Sequence, residues 1–294
     1  MLDLVLYCKS YSEDLNRFLR LAESIEKYNI EKIEFYLSVP SKDFELFKDR
    51  TAQFDIILIQ DELIIASNQK FKIDYIDKLP GKISQQIIKS EFWRLGFSAN
   101  YVCLDSDNEF IKNFRKSDFI CEDGTPYTVI GEGKDYLTYF ASKKISKIQT
   151  YLNKEAKHVQ DFIGRSGKIY DFGIPPLVWS KKVWESLDQF LCEKNMNFAD
   201  AIIQYPYELR LYGEALLRFN AIPLRPSEPF FRTYLHEIQY YADKKRGITL
   251  DAIRKNYLGI VKQSNWDGIG YEIKKSFLSR INKKIKGAIR KFRA

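Results

Sequence analysis

Alternation of short apolar runs with amphipathic segments is the feature of this sequence that most restricts its fold. Residues 2–7 form an apolar run that predicts a buried strand, and residues 12–28 carry apolar side chains at helical spacing. Runs at 33–39 and 54–59 predict two more strands. Strands that alternate with helices form a parallel sheet with helices on both faces. The sequence therefore predicts a Rossmann-type α/β/α sandwich with a mainly parallel central sheet.

A strand that ends in two aspartates is the strongest chemical signal. The strand predicted at 101–104 leads directly into Asp105, Ser106 and Asp107. Ligands bind at the carboxyl ends of strands in open α/β sheets. Two aspartates separated by one residue can hold a hard divalent cation, because Mg²⁺ and Mn²⁺ prefer oxygen ligands. The same pattern also fits a turn in which an aspartate caps the next segment.

Two helical segments complete the prediction. The helix predicted over 84–95 carries polar residues on its surface, namely Gln85, Lys89 and Arg94. A single helical segment is predicted over 198–219. We predict one domain over 1–240, with halves at about 1–115 and 116–240, and a helical C-terminal extension over 241–294.

Composition excludes several classes of protein. The hydrophobic fraction of 45% is too high for a disordered chain. The four cysteines are too few and too scattered for a disulfide scaffold. No apolar run approaches the roughly 20 residues of a membrane-spanning helix, and we expect a cytoplasmic protein.

The net charge of +8 is concentrated near the C-terminus. Residues 273–292 combine an apolar stripe with a dense basic face, and no acidic residue occurs between 274 and 294. Such a helix either lies on an anionic membrane or docks on the core with its basic face solvated. We favour the first alternative, which makes the protein peripheral on the inner face of the cell membrane.

Several short blocks carry a family resemblance. A polar helix at 83–94, followed by a strand that ends in Asp105-Ser106-Asp107, resembles the GT-A superfamily of glycosyltransferases. Residues 4–11, the turn at 79–81 and residues 104–107 are similar to a bacterial family of glycosyltransferases from surface-polysaccharide loci, those for capsule and O-antigen. The likeness extends from about residue 2 to residue 231. It implies a GT-A-like fold whose first half binds the donor and whose second half binds the acceptor.

The resemblance also implies roles for individual residues. The loop after the first strand would hold the nucleoside of the donor, through Tyr7, Lys9, Ser10, Tyr11 and Asp14. The sugar and phosphates would contact Gln85, Gln86, Lys89, Asp105 and Ser106, although Gln85 and Lys89 also fit solvated surface positions. The metal, Mn²⁺ or Mg²⁺, would be held by Asp105, Asp107 and His236; a hydrogen-bonding structural histidine is the alternative for His236.

A catalytic base is implied by the block at 207–213, where a glutamate precedes Leu-Tyr-Gly. Glu208 is the candidate that would take the proton of the acceptor hydroxyl, and Glu214 is the alternative. Arg210 could instead pair with Glu208 in a structural role. Tyr207 departs from the family pattern, in which a small hydroxyl residue is usual at this position.

Together these features predict a metal-dependent glycosyltransferase. It would move a sugar from a nucleotide-sugar donor to a bacterial cell-surface glycan or lipid-linked glycan acceptor. Nucleotidyl or phosphoryl transfer also uses paired carboxylates, but the sequence has no G-x-x-x-x-G-K-[ST] motif. The alternative from another class is a non-catalytic protein that binds nucleic acid or carbohydrate. We expect no nucleic-acid partner, because the basic residues are not interleaved with aromatic ones.

Overall fold

The structure is a computed structural model that describes residues 1–70, 73–133, 145–235 and 237–263. Its strands are β1 (Leu2–Lys9), β2 (Phe35–Val39), β3 (Ile57–Gln60), β4 (Ser98–Leu104), β5 (Asn108–Phe110), β6 (Thr128–Val129), β7 (Leu177–Ser180), β8 (Pro226–Ser227), β9 (Phe231–Tyr234) and β10 (Gly259–Lys262). Its helices are α1 (Leu15–Tyr28), α2 (Phe44–Arg50), α3 (Asp61–Ala66), α4 (Ile73–Ile76), α5 (Gly81–Glu91), α6 (Ile145–Ile163), α7 (Lys181–Glu193), α8 (Phe198–Gln204), α9 (Glu208–Phe219), α10 (Glu237–Lys245) and α11 (Leu250–Arg254).

The central sheet has five strands in the order β3-β2-β1-β4-β7. The first four of these run parallel to one another, and β7 lies antiparallel to β4. The prediction of a mixed α/β fold with a mainly parallel central sheet is therefore confirmed. Residues 4–8 of β1 are buried, with Val5 and Leu6 fully so, which explains why they form a continuous apolar run in the sequence.

Helices pack around this sheet. In α1, Phe18, Leu21 and Ile25 form the buried face. α5 packs against α8, and α9 packs against both α6 and α7. Within the part of the chain that the structure describes, no helix has the length and apolar character needed to cross a bilayer.

Aromatic rings fix the end of α5 against β1 and β4. The ring of Tyr7 stacks on that of Phe92 with 3.8 Å between centroids, and Tyr101 meets Phe92 edge-on at 5.1 Å. Such pairs contribute about 0.5–1.5 kcal/mol beyond the area they bury. The Tyr101 hydroxyl also donates a hydrogen bond to the backbone carbonyl of Lys89, over 3.0 Å. The position of Lys89 is therefore determined by the core.

A second sheet joins distant parts of the chain, in the order β5-β10-β9. β10 pairs antiparallel with β5 and parallel with β9, and an added Cβ at Gly259 would lie 2.3 Å from the Phe231 ring. The C-terminal extension was predicted to be helical over 241–294. In its described part it also supplies a central strand to a sheet whose other strands lie within 1–240.

The segment predicted as one helix over 198–219 is two helices. α8 ends at Gln204 and α9 begins at Glu208, with Pro206 between them. Proline has no amide hydrogen, and its ring disfavours helical geometry at the preceding residue. The break creates a helix N-terminus at Glu208, and this terminus contributes to the site described next.

Candidate functional site

The carboxyl ends of β1 and β4 meet at the point where the strand order reverses. From β1 the chain proceeds to β2 and β3 on one side, whereas β4 lies on the other side. The register pairs Cys8 with Leu104, so the residues that follow each strand are neighbours. Ser10 and Ser106 confirm this, with 3.0 Å between their hydroxyl oxygens. In open α/β sheets this switch point is the usual location of a ligand site.

A tight turn holds the two aspartates after β4. The backbone N–H of Asp105 donates to the Asn108 side-chain oxygen over 3.0 Å, and the N–H of Asn108 donates to the Asp105 carbonyl over 3.0 Å. The Asp105 side chain is 34% exposed, whereas Asp107 is buried. The turn therefore presents one accessible carboxylate and one buried carboxylate at the edge of the sheet.

Lys89 lies beneath this turn, and its predicted surface position is wrong. Its side chain is only 4% exposed, and its ammonium group contacts the carboxylate of Asp105. Burial alone would lower the pKa of Lys89, but the nearby Asp105, Cys103 and Glu208 raise it overall. The buried lysine therefore carries a positive charge into the site.

Glu208, at the start of α9, lies near enough to the same lysine for their charges to interact. Its backbone N–H donates to the side-chain oxygen of Gln86 over 3.3 Å. Burial raises the pKa of the Glu208 carboxyl above its usual range, and the charge of Lys89 offsets part of that rise. We call Lys89, Asp105 and Glu208 the edge cluster. It joins α5, β4 and α9, and it brings together residues predicted separately for donor binding, metal binding and catalysis.

A second polar group at the same edge involves a residue that was not predicted. The Lys9 ammonium lies 3.4 Å from the carboxylate of Asp61, the first residue of α3. Burial raises the pKa of Asp61 to about 6, although Lys9 and a hydrogen bond from Ser38 both lower it. One carboxylate oxygen of Asp61 is buried without a hydrogen-bond partner. Because Asp61 follows β3 directly, the rule that ligands bind at strand carboxyl ends could have identified it.

The remaining predicted donor-binding residues are less central. Tyr7 is fully buried and shares a hydrogen bond of 2.9 Å with Ser38. Asp14 pairs with Arg17, Tyr11 is 38% exposed, and Gln85 is half-buried on α5. These four side chains therefore lie around the site or beneath it, outside the edge cluster.

The alternative base, Glu214, lies in a different environment. It is fully buried in the middle of α9, where both of its oxygens accept hydrogen bonds from Arg165. The second of these bonds, from Nη2, measures 3.0 Å. His236, the predicted third metal ligand, lies outside the described residues.

A comparison with protein families matches the part of the chain that contains this site. The family of unknown function DUF6492 matches residues 1–221. The chain belongs to this family. A search of curated proteins found no match to this sequence. The DUF6492 region contains every residue of the edge cluster, together with Lys9, Asp61 and Asp107, whereas β9 and β10 follow it.

The residues of this site fit a hard divalent cation whose remaining coordination positions are filled by substrate oxygens and water. Among the described residues, no three His, Cys, Asp or Glu side chains come together as a metal-binding group. Mg²⁺ sites that act on phosphates commonly use only one or two carboxylates, with the rest supplied by substrate oxygens and water. Asp105 and Asp107 provide such a pair. The charges also fit, because Asp105, Asp107 and Glu208, when ionised, exceed the single positive charge of Lys89 by two.

Proposed function

We propose that this protein is a glycosyltransferase that uses a nucleotide-sugar donor. The observation that carries the proposal is the edge cluster: a buried lysine contacts the aspartate after β4 and faces a buried glutamate, at the switch point of a parallel sheet. This arrangement combines a positive charge for a diphosphate with a proton acceptor for a hydroxyl group. The resemblance of residues 83–107 to GT-A glycosyltransferases supports the same assignment.

The donor would lie across the carboxyl ends of β1 and β4. Its diphosphate would approach the Lys89 ammonium, and its nucleoside would extend toward Lys9 and Asp61. Asp105 and Asp107 would hold Mn²⁺ or Mg²⁺ at the diphosphate, with His236 as the predicted third ligand. When bound, such a cation supplies Lewis-acid stabilisation of the departing diphosphate. Lys89 adds a fixed positive charge that needs no reorganisation during the reaction.

Glu208 would serve as the base in an inverting displacement. The acceptor hydroxyl oxygen forms a bond to the anomeric carbon of the donor sugar, and the bond from that carbon to the diphosphate oxygen breaks. The hydroxyl proton passes to the Glu208 carboxylate, and the electron pair leaves with the nucleoside diphosphate. Burial suits Glu208 to this role, because a carboxylate with a raised pKa is a stronger base.

The acceptor would be a bacterial cell-surface glycan, or its lipid-linked precursor, at the cytoplasmic face of the membrane. Residues 273–292, which lie outside the described residues, carry the sequence pattern of a basic amphipathic helix. Each basic residue near an anionic membrane contributes about 1 kcal/mol of attraction. A chain truncated after Tyr271 should therefore lose binding to anionic liposomes, and unchanged binding would contradict the membrane role.

The direct test is ligand-induced thermal stabilisation. The purified protein is heated with a panel of nucleoside diphosphates and nucleotide sugars, with and without Mn²⁺. A ligand at about 100 times its dissociation constant adds about 2.7 kcal/mol to the stability of the folded state. We expect stabilisation by one nucleotide family in the presence of Mn²⁺, and its loss in the Asp105→Asn/Asp107→Asn double variant.

A matched control is Asp49→Asn/Asp55→Asn, which removes two aspartates from exposed positions. This variant should retain the nucleotide response. The proposal fails if the folded wild-type protein responds to no nucleotide with metal present. In that case a non-catalytic binding protein becomes the better account, and Asp105-Ser106-Asp107 is only a turn.

A further inference from the structure

A cavity lies between the loop that precedes β7 and strand β9. It encloses about 100 Å³, or about 550 Å³ when its open mouth is included. The first figure is several times the roughly 10–15 Å³ that one water needs, and the open mouth gives a ligand access from solvent. We call it the β9 cavity. Its lining residues are Asp171, Gly173, Ile174, Pro229, Phe231, Arg232, Thr233, Leu235 and Tyr257.

Both walls of the β9 cavity are connected through strand pairing to the region around the Asp105–Asp107 turn. One wall comes from residues 171–174, just before β7, whose Leu177 pairs with Cys103 near the carboxyl end of β4. The other wall is β9, which is linked through Val261 of β10 to Asn108, the residue after Asp107. Strand pairing therefore connects both walls to the segment that carries the proposed reaction site, on the β7 side of β4 rather than the side of β1 and β3.

The first wall depends on a glycine. Gly173 has a φ of +73°, a backbone conformation that residues other than glycine rarely adopt. A Cβ added at this position would lie 2.7 Å from a methyl carbon of Val129. The 171–174 loop can therefore approach β6 closely, and this approach defines the shape of the cavity.

The second wall follows the outer edge of β9. Consecutive residues of a strand point to opposite faces, yet Phe231, Arg232 and Thr233 all line the cavity. The cavity therefore runs along the edge of this strand, which is the outer strand of its sheet among the described residues. Hydroxyl groups of a ligand would meet both side chains and backbone polar groups there.

The charge of Arg232 is already compensated. Its guanidinium donates to the Asp243 carboxylate over 2.9 Å, and the Tyr234 hydroxyl donates to the same oxygen over 3.2 Å. Asp171 adds a second carboxylate to the lining. Arg246 lies 3.8 Å from the other oxygen of Asp243. An anionic ligand would therefore meet the Asp171 carboxylate and a guanidinium that is already paired, whereas a neutral polar ligand would not be repelled.

We infer that the β9 cavity binds a neutral sugar unit of the acceptor. A sugar ring presents hydroxyl groups at its rim and apolar C–H groups on its faces. The lining matches both, with Asp171, Arg232 and Thr233 as polar groups and Ile174 among the apolar ones. The assignment of this sugar to an acceptor rests on the proposed function, but the binding of a neutral sugar can be measured independently.

The test is saturation-transfer difference NMR on the full chain. The probes are millimolar methyl glycosides of glucose, galactose, mannose and N-acetylglucosamine, with methyl glucuronide as the anionic comparison. We expect saturation transfer to at least one neutral glycoside and none to the glucuronide. Thr233→Trp fills the cavity and should abolish the signal, and Tyr257→Ala removes one wall and should weaken it. Gln53→Trp, at an exposed position after α2, is the matched control and should bind as the wild type does.

Three outcomes would overturn the inference: no transfer to any neutral glycoside, equal transfer in wild type and both cavity variants, or preferential transfer to the glucuronide. Tyr257→Ala keeps the test decisive if the larger Trp side chain prevents folding. Nucleoside diphosphate stabilisation, measured on the same samples, separates the two proposals. Glycoside binding without a nucleotide response would support the sugar site and contradict the glycosyltransferase proposal. A nucleotide response without glycoside binding would support the glycosyltransferase proposal and contradict the sugar site.

Discussion

Two glutamates on one helix show how differently this protein uses buried charge. Glu214, in the middle of α9, is fully buried, and Arg165 donates to both of its oxygens. The same guanidinium also donates to the carbonyls of Ser166 and Lys168, so four of its five N–H groups make hydrogen bonds. Glu208, at the start of α9, faces Lys89 and the partly exposed Asp105. One glutamate fixes α9 to the end of α6, and the other lies at an open edge.

The difference teaches that burial alone does not identify a functional carboxylate. A buried charge with complete hydrogen bonding is costly to disturb and has no capacity left for a ligand. A buried charge with incomplete compensation keeps a raised pKa and can exchange a proton. Glu214 belongs to the first kind and Glu208 to the second, and the comparison can be tested at each residue.

The largest expected effect is on catalysis at Glu208. Glu208→Gln keeps the shape of the side chain but removes the proton acceptor, and general base catalysis contributes typically about 10²–10⁴-fold to a rate. We expect kcat for glycosyl transfer to fall by a factor in that range, with little change in affinity for the nucleoside diphosphate. Steady-state kinetics and calorimetry measure the two quantities.

The pH profile gives a control on this result. In the wild type, kcat should decline as the pH falls through a pKa above the usual range of glutamate, because the base becomes protonated. Glu208→Gln should lose that limb of the profile. Equal rates for the variant and the wild type would remove Glu208 as the base.

The next largest effect is on stability at Glu214. Glu214→Ala leaves the Arg165 guanidinium with only 11% exposure and no carboxylate partner, and breaking a buried pair in this way costs about 3–5 kcal/mol. Denaturant unfolding at neutral pH measures the loss. Glu23→Ala, at an exposed position of α1, should change stability by less than about 0.5 kcal/mol. A loss at Glu214 as small as this would show that the two glutamates do not differ as described.

Much of the fold follows from local sequence, because apolar runs and helical spacing report burial directly. β1 and β4 each contain a continuous apolar run, at 4–8 and 101–104, so both were predicted along with the turn that follows β4. β10 was missed because it has only four residues, and a short apolar run does not distinguish a strand from a helix. Its partners, β5 and β9, lie far away in the sequence.

The site was only partly predictable, because its polar contacts join distant segments. Helical spacing assigned Lys89 to the polar surface of its helix, and Asp105 becomes its neighbour only after β4 is placed. Asp61 begins a helix, where an aspartate usually stabilises the helix end. Glu208 was ranked ahead of Glu214 from the sequence block at 207–213, but the pairing of Glu214 with Arg165 was not foreseen, because the two residues are 49 positions apart.

Asp61 extends the comparison to a carboxylate with only one satisfied oxygen. Its pKa is raised from 3.8 to about 6, so the folded protein binds more protons than the unfolded chain between these values. The free energy of unfolding contributed by this group therefore falls as the pH rises from about 4 to about 6, by at most about 3 kcal/mol. Asp61→Asn cannot titrate and should lack this slope. Chemical denaturation of both proteins across this range measures the difference, and parallel curves would contradict the raised pKa.

The smallest effect concerns the two cationic side chains near these glutamates, Arg165 and Lys89. Like the glutamates, they differ in whether their charge is available to a ligand. Arg165 binds Glu214 and two neighbouring backbone carbonyls, whereas the charge of Lys89 would act on both a metal and a diphosphate. Lys89→Met removes one positive charge beside Asp105, so Mn²⁺ alone should bind more tightly, by about tenfold, which corresponds to 1.4 kcal/mol of electrostatic energy. The nucleoside diphosphate, measured without metal, should bind more weakly by a similar factor. Calorimetric titration of each ligand distinguishes this from a structural role, because a lysine that merely holds α5 in place would weaken both ligands together.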